Sequence, residues 1–210
     1  AGNWKNTQEF ANIQSYAQRL KQYGDLTDQI YGDVLGLGPA GHIITNFAGQ
    51  ESHYGYGLNK DATHTMGLTQ IDPIRYQDLL TDYSTSDVYY DRINKINAHM
   101  QGMEGYEDWD MTKLASIGED GKYSGFSKYK NDELSNYMLT RMMFMKDPDA
   151  LPVGMEEEKG WWDSFWNKNP AEHTGPDAYE TKFLNFIQPT NTVNEVINSA
   201  NPLSGTLLNE

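Results

Sequence analysis

Apolar side chains recur at intervals of three and four along most of this chain, and that rhythm selects helices over strands. Phe10, Ile13, Ala17 and Leu20 fall on one helical face, which Gly24 is expected to end. Ile30 and Val34 predict a short second helix closed by Gly36 and Gly38, with Pro39 in the first turn of the next. That next helix carries Ile43, Ile44, Phe47 and Ala48. A short helix is predicted from Pro73. A longer one carries Tyr89, Ile93, Ile96, Met100 and Met103, and another starts after Asp132 with Leu134, Tyr137, Met138, Met142 and Met145 on one side. The rhythm stops between Ser52 and Thr65, where Gly55, Gly57, Asn59, Asp61 and Thr63 read as loop. No convincing run of alternating strands is present, so the fold class is mainly α, with room for a small β-hairpin around residues 52–70.

The texture changes after Lys146. Pro148, Pro152, Gly154, Pro170, Gly175, Pro176, Pro189 and Pro202 punctuate the remainder of the chain. The chain is therefore divided into a domain over residues 1–146 and an irregular extension over 147–210 that wraps the domain or docks on a partner. Within the extension, Trp161, Trp162, Phe165 and Trp166 form an aromatic cluster, and Tyr179, Phe183, Phe186 and Ile187 share a helical face. Stacking on sugar rings and anchoring the extension are both open to that cluster. The methionines at 138, 142, 143 and 145 are expected in the core, as irregular gap-fillers.

Charge and cysteine content bound the function. The net charge of −14 gives no attraction to nucleic acid or to an anionic membrane surface. With no cysteine, disulfides and thiol chemistry are excluded. No apolar run reaches the length of a membrane span.

Glu51 is the residue with the most chemical content. In a helix over 39–51 it lies four residues after Phe47, seven after Ile44 and eight after Ile43, on the core-facing stripe at the C-terminal end. Burial and the negative end of the helix dipole both disfavour the carboxylate, which raises the pKa toward that of a general acid at neutral pH. The competing reading is a helix-end glutamate turned to solvent.

After Glu51-Ser52 and the polar loop comes Met66-Gly67-Leu68-Thr69-Gln70-Ile71-Asp72-Pro73. This order resembles the SLT-type lytic transglycosylases of the lysozyme-like superfamily, whose pattern is Glu-Ser, a loop, then Gly-Leu-Met-Gln-Ile and a nearby proline. Thr69 stands where methionine is usual. Ser135-Asn136-Tyr137-Met138 is similar to the family's closing Asn-Tyr-Val segment, and the likeness covers roughly residues 35–146. It departs where the family has Ala-Tyr-Asn-Ala-Gly-Pro: here Leu114 to Gly121 reads Leu-Ala-Ser-Ile-Gly-Glu-Asp-Gly, and Tyr123 is the candidate substitute for the missing Tyr-Asn pair.

The resemblance implies a lysozyme-like (SLT or goose-type) domain that cleaves peptidoglycan glycan strands between N-acetylmuramic acid and N-acetylglucosamine. Glu51 would be the catalytic acid and base, and Ser52, Gln70, Tyr137 and Tyr123 would bind substrate, with Tyr137 lining the groove. One carboxylate suffices, since the muramoyl C6 hydroxyl is the nucleophile and the product is the 1,6-anhydro sugar, unlike the two-carboxylate scheme of most glycosidases. No cofactor and no metal are implied. A second carboxylate, Asp61 or Asp72, would instead make a hydrolytic goose-type lysozyme.

The remaining candidates are weaker. His42, His53, His64, His99 and His173 show no recognised metal spacing, although His53, His64 and Asp61 share the loop near Glu51. Asp108, Asp110, Glu119 and Asp120 lack the calcium-loop signature and read as a solvated acidic surface. The expected setting is a phage particle acting in the host periplasm, with other virion or secretion-apparatus proteins as partners of 147–210. A bacterial periplasmic or extracellular enzyme is the rival. A structural virion protein with a lysozyme-like fold and little activity is the alternative from another class.

Overall fold

The protein is described by a computed structural model, which covers residues 8–56, 58, 62–146, 151–152 and 155–166. Among these the fold is mainly helical, with one two-stranded antiparallel sheet. The order is α1 (Gln8–Leu35), α2 (Gly41–Ser52), α3 (Pro73–Thr85), α4 (Asp87–Gln101), β1 (Ala115–Ile117), β2 (Tyr123–Phe126), α5 (Glu133–Phe144) and α6 (Met155–Trp161), which runs on into a π-helical turn at Trp162–Trp166. No described helix is long and apolar enough to cross a membrane.

Gly24 does not end the first helix. α1 runs straight through it, from Gln8 to Leu35, 28 residues in all. Its role is to let another helix approach: a Cβ at Gly41 would lie 2.3 Å from the Gly24 carbonyl oxygen, so α1 and α2 cross backbone to backbone at this glycine pair. The helix stops at Gly36, whose φ of 68° takes the left-handed conformation that releases the chain. Pro39 lies before α2 instead of in its first turn. Asp28 of α1 caps α2 from the side, accepting from the Ala40 and Gly41 amides at 2.6 and 2.8 Å.

α2 is the central helix. Ile43, Ile44 and Phe47 are fully buried, each contributing about 1.5–3 kcal/mol from lost apolar exposure. α1 and α5 enclose it. Tyr31 of α1 donates to the Met138 carbonyl at 2.6 Å, and Thr45 of α2 meets the Tyr137 hydroxyl at 2.6 Å. Met138, Met142 and Met143 are buried in this core, as their spacing predicts, while Met145 packs against it half-buried. Asp72 caps α3 and Asp132 caps α5, accepting from Arg75 N at 2.9 Å and Ser135 N at 2.7 Å.

Among the described residues of 52–70 there is no hairpin of paired strands. That stretch holds an isolated bridge between Met66 and Ile71, while the paired strands are Ala115–Ile117 and Tyr123–Phe126. The hairpin thus occupies the segment where the sequence departs from the transglycosylase pattern. Its register is anchored from α3: the Tyr76 hydroxyl donates to Met111 O at 2.8 Å and accepts from Leu114 N at 3.0 Å.

Candidate active site

Two local devices fix the end of α2. The Ser52 hydroxyl donates to Ala48 O at 3.0 Å and accepts from Gly55 N at 3.0 Å. The Tyr54 ring lies on Gly49, where a Cβ would come within 2.6 Å of it. To reach that seat Tyr54 takes φ 59°. Glu51 is thereby held at the final turn, partly buried. Loss of water pushes its carboxyl up to about 7, against two opposing influences: the hydrogen bond from Trp162 and the positive charge of Arg75.

Trp162 comes from the far side of the chain. Its Nε1 donates to Glu51 Oε1 at 2.9 Å, and its ring is buried. Trp166, one turn on, donates from Nε1 to Thr69 O at 3.0 Å. Arg75, in the first turn of α3, donates to the carbonyls of Phe165 and Trp166, the second at 2.7 Å. Its guanidinium also lies over the Trp166 ring, 4.6 Å from the centroid. The aromatic cluster at 161–166 therefore packs on the domain: Trp161 and Trp166 meet Phe47 at 5.8 and 5.5 Å, and Phe144 at 4.7 and 5.9 Å.

The segment Gly67 to Ile71 forms the adjoining loop. Gly67 has φ 71°, and a Cβ there would fall 2.1 Å from Asn136 Nδ2. Thr69 is explained by α5: its hydroxyl meets Thr140 Oγ1 at 2.8 Å, and its amide donates to Asn136 Oδ1 at 3.2 Å. A methionine has no hydroxyl to offer Thr140. Gln70 takes φ 51°, donates from Nε2 to Gly67 O at 2.7 Å and accepts from Thr65 Oγ1 at 2.5 Å. Tyr54 and Gln70 are the two non-glycine residues with positive φ among those described. Such strain gathers where structure serves a site.

The other expected substrate contacts lie inside the protein. Tyr137 is fully buried with its hydroxyl on Thr45, behind α2, and does not line an open groove. Burial raises its pKa above the ordinary tyrosine range, as it does for Tyr123. Tyr123 donates to Ile71 O at 3.0 Å and so supports the loop from behind. Ser52 and Gln70 spend their polar groups on local backbone and Thr65. Of the five, Glu51 is the one that combines partial exposure with an acid titrating near neutrality. Arg75 and Trp162 are the neighbours that sequence reasoning missed. Trp162 is visible in the sequence as part of an aromatic cluster; a single arginine two residues after Pro73 carries no pattern at all.

Asp61 and the Tyr179 to Ile187 face lie outside the described residues, as does the side chain of His53. Asp72 is engaged as the α3 cap. Asp108 pairs with Lys128 and Asp110 with Lys113. Among the described residues no group of three His, Asp or Glu side chains is placed to hold a metal ion.

Fold and site together define a mainly helical protein with one protonatable carboxyl at the C-terminal turn of its central helix. Comparison with protein-family models, with curated proteins and with solved structures finds no match to this chain.

Proposed function

We propose that this protein is a lysozyme-like, peptidoglycan-cleaving enzyme working as a lytic transglycosylase, with Glu51 as its acid–base residue. The observation that supports the reading best is the Glu51 carboxyl itself, held near neutral pKa at the end of a buried helix. A group of this kind is half protonated at physiological pH and can act in both directions. The order Glu51-Ser52, loop, Gly67 to Ile71 supplies the substrate class by resemblance.

In the proposed reaction protonated Glu51 gives its proton to the glycosidic oxygen as the muramoyl C1–O bond breaks. The resulting carboxylate takes the proton of the C6 hydroxyl, whose oxygen closes on C1. The proton count balances, and no water is consumed. The setting that fits this activity is a phage particle opening the host wall, and partners would be held through residues 147–210.

The test uses purified full-length protein and Glu51→Gln on isolated peptidoglycan, with products read by mass spectrometry. Anhydro-muropeptides from the wild type and none from the variant are expected. Reducing-end products would replace the transglycosylase with a hydrolase. A structural role is the second reading, favoured by one contact: the buried Trp162 indole sits on the carboxyl that must meet substrate. Absence of any product, including from variants in which Trp162 no longer covers Glu51, would establish it.

A further inference from the structure

Residues 155–166 pack beside the Glu51 carboxyl, the group that must meet a sugar under the proposed function. Glu51 Oε1 is taken by the Trp162 indole at 2.9 Å. A glycosidic oxygen needs hydrogen-bond reach of the same carboxyl, so the indole on Oε1 and a sugar compete for the space beside it. The contacts of the segment run along its length. Glu158, fully buried, accepts from Asn46 Nδ2 at 2.8 Å and lies 3.1 Å from His42 Nε2. Those two partners are one turn apart on α2. Trp162 covers Glu51, and Trp166 binds the Thr69 carbonyl. Arg75 binds the last two carbonyls of the turn. All these receiving groups belong to α2, which carries Glu51, the 67–71 loop and the start of α3.

The manner of attachment suits a reversible strap. Phe47 and Phe144 form an aromatic seat under Trp161 and Trp166, while the polar fixed points are a few side-chain contacts: Glu158 with Asn46 and His42, Trp162 with Glu51, Trp166 with Thr69 O, and Arg75 with two carbonyls. The π-helical turn Trp162–Trp166 widens the helix at the two indoles that reach the site, a form that gathers at functional positions.

We propose that residues 155–166 are a built-in inhibitory strap, which holds the Glu51 site closed until it is displaced from α2 and the 67–71 loop. The inference rests on Glu51 being the catalytic acid. The strap and a glycan strand compete for one surface, so opening and substrate binding are linked: each fraction of time spent closed lowers the apparent affinity in proportion.

The test compares the full-length wild type, Glu158→Lys and Trp162→Ala. Lysine at 158 places a cation in the buried position beside His42 and leaves every residue of α2, the loop and α3 unchanged. Circular dichroism checks that each variant is folded, and Trp162→Ala serves if Glu158→Lys is not. Hydrogen exchange over 155–166 reports opening, and cleavage of isolated peptidoglycan reports activity. Expected is faster exchange in the strap together with a rise in cleavage of about tenfold, the release due from a strap open about a tenth of the time. Faster exchange with unchanged or reduced cleavage would overturn the inhibitory role and leave the enzymatic reading standing. No cleavage by the wild type or by a variant whose strap is shown to be open would overturn both.

Discussion

The two ends of α2 are built by opposite rules. At the first turn Gly24 and Gly41 put backbone on backbone, and the Asp28 carboxyl, also disfavoured by burial, is answered by both leading amides at 2.6 and 2.8 Å. At the last turn a carboxyl is left in poor solvation, and its direct partner Trp162 arrives from 111 residues away. The first end lowers the energy of the fold. The second keeps an acid in poor solvation, with Tyr54 three residues on held at positive φ. The two ends of this single helix of 12 residues thus differ in how fully a buried carboxyl is answered by donors.

Substitutions at each end should give different signatures. Glu51→Gln is expected to lower cleavage by about 10²–10⁴-fold, the contribution of a general acid, with the fold intact by circular dichroism. Retained activity in that variant would remove Glu51 from the reaction. Gly41→Ala should cost about 3 kcal/mol or more in chemical unfolding, because its Cβ meets backbone and not a movable side chain. Full stability there would mean that the helices cross elsewhere. Gly67→Ala lies between the two classes. It forces a positive φ on alanine and displaces Asn136, so a loss of about 2 kcal/mol is expected, accompanied by lower activity.

The remaining predictions are smaller. The pKa of Glu51 is raised in the folded state, from 4.5 to about 7. Its protonated form is therefore favoured by folding; that contribution is complete below pH 4.5 and is lost as pH rises through about 7. Glu51→Gln, which keeps an acceptor for Trp162, should accordingly gain about 1–3 kcal/mol over wild type at pH 8 relative to pH 4. Parallel stability curves across that range would show that the carboxyl is not poorly solvated. At the opposite end Asp28→Ala should cost about 1–2 kcal/mol in thermal unfolding, through loss of the cap. Asp28→Asn should cost less, since burial already disfavours the Asp28 carboxylate and asparagine keeps the accepting oxygen.

The local elements are legible in the sequence to different degrees. α3 and α5 start where Pro73 and Asp132 announce them, because proline geometry and side-chain caps act within one turn. The break expected at Gly24 and the hairpin expected at 52–70 fail for one reason: packing overrules local propensity. Gly24 looks like a helix stop until α2 is laid across it. The 52–70 stretch reads as loop with room for a hairpin until Asn136 and Thr140 of α5 are seen to hold Thr69. The same applies to Tyr137 and Tyr123, whose hydroxyls serve Thr45 and the Ile71 carbonyl.

What the sequence by itself determined is the helical class, the place of the methionine core and the position of Glu51 on the buried side of a helix end. These come from periodicity, a property of neighbours three and four residues apart. What only the tertiary structure decided is the crossing at Gly24 and Gly41, the environment of the carboxyl, and its cover by Trp162 with Arg75 alongside. Those depend on which distant segments meet. The solvation of a charge is set by everything around it in space, and the order of residues along the chain does not contain that.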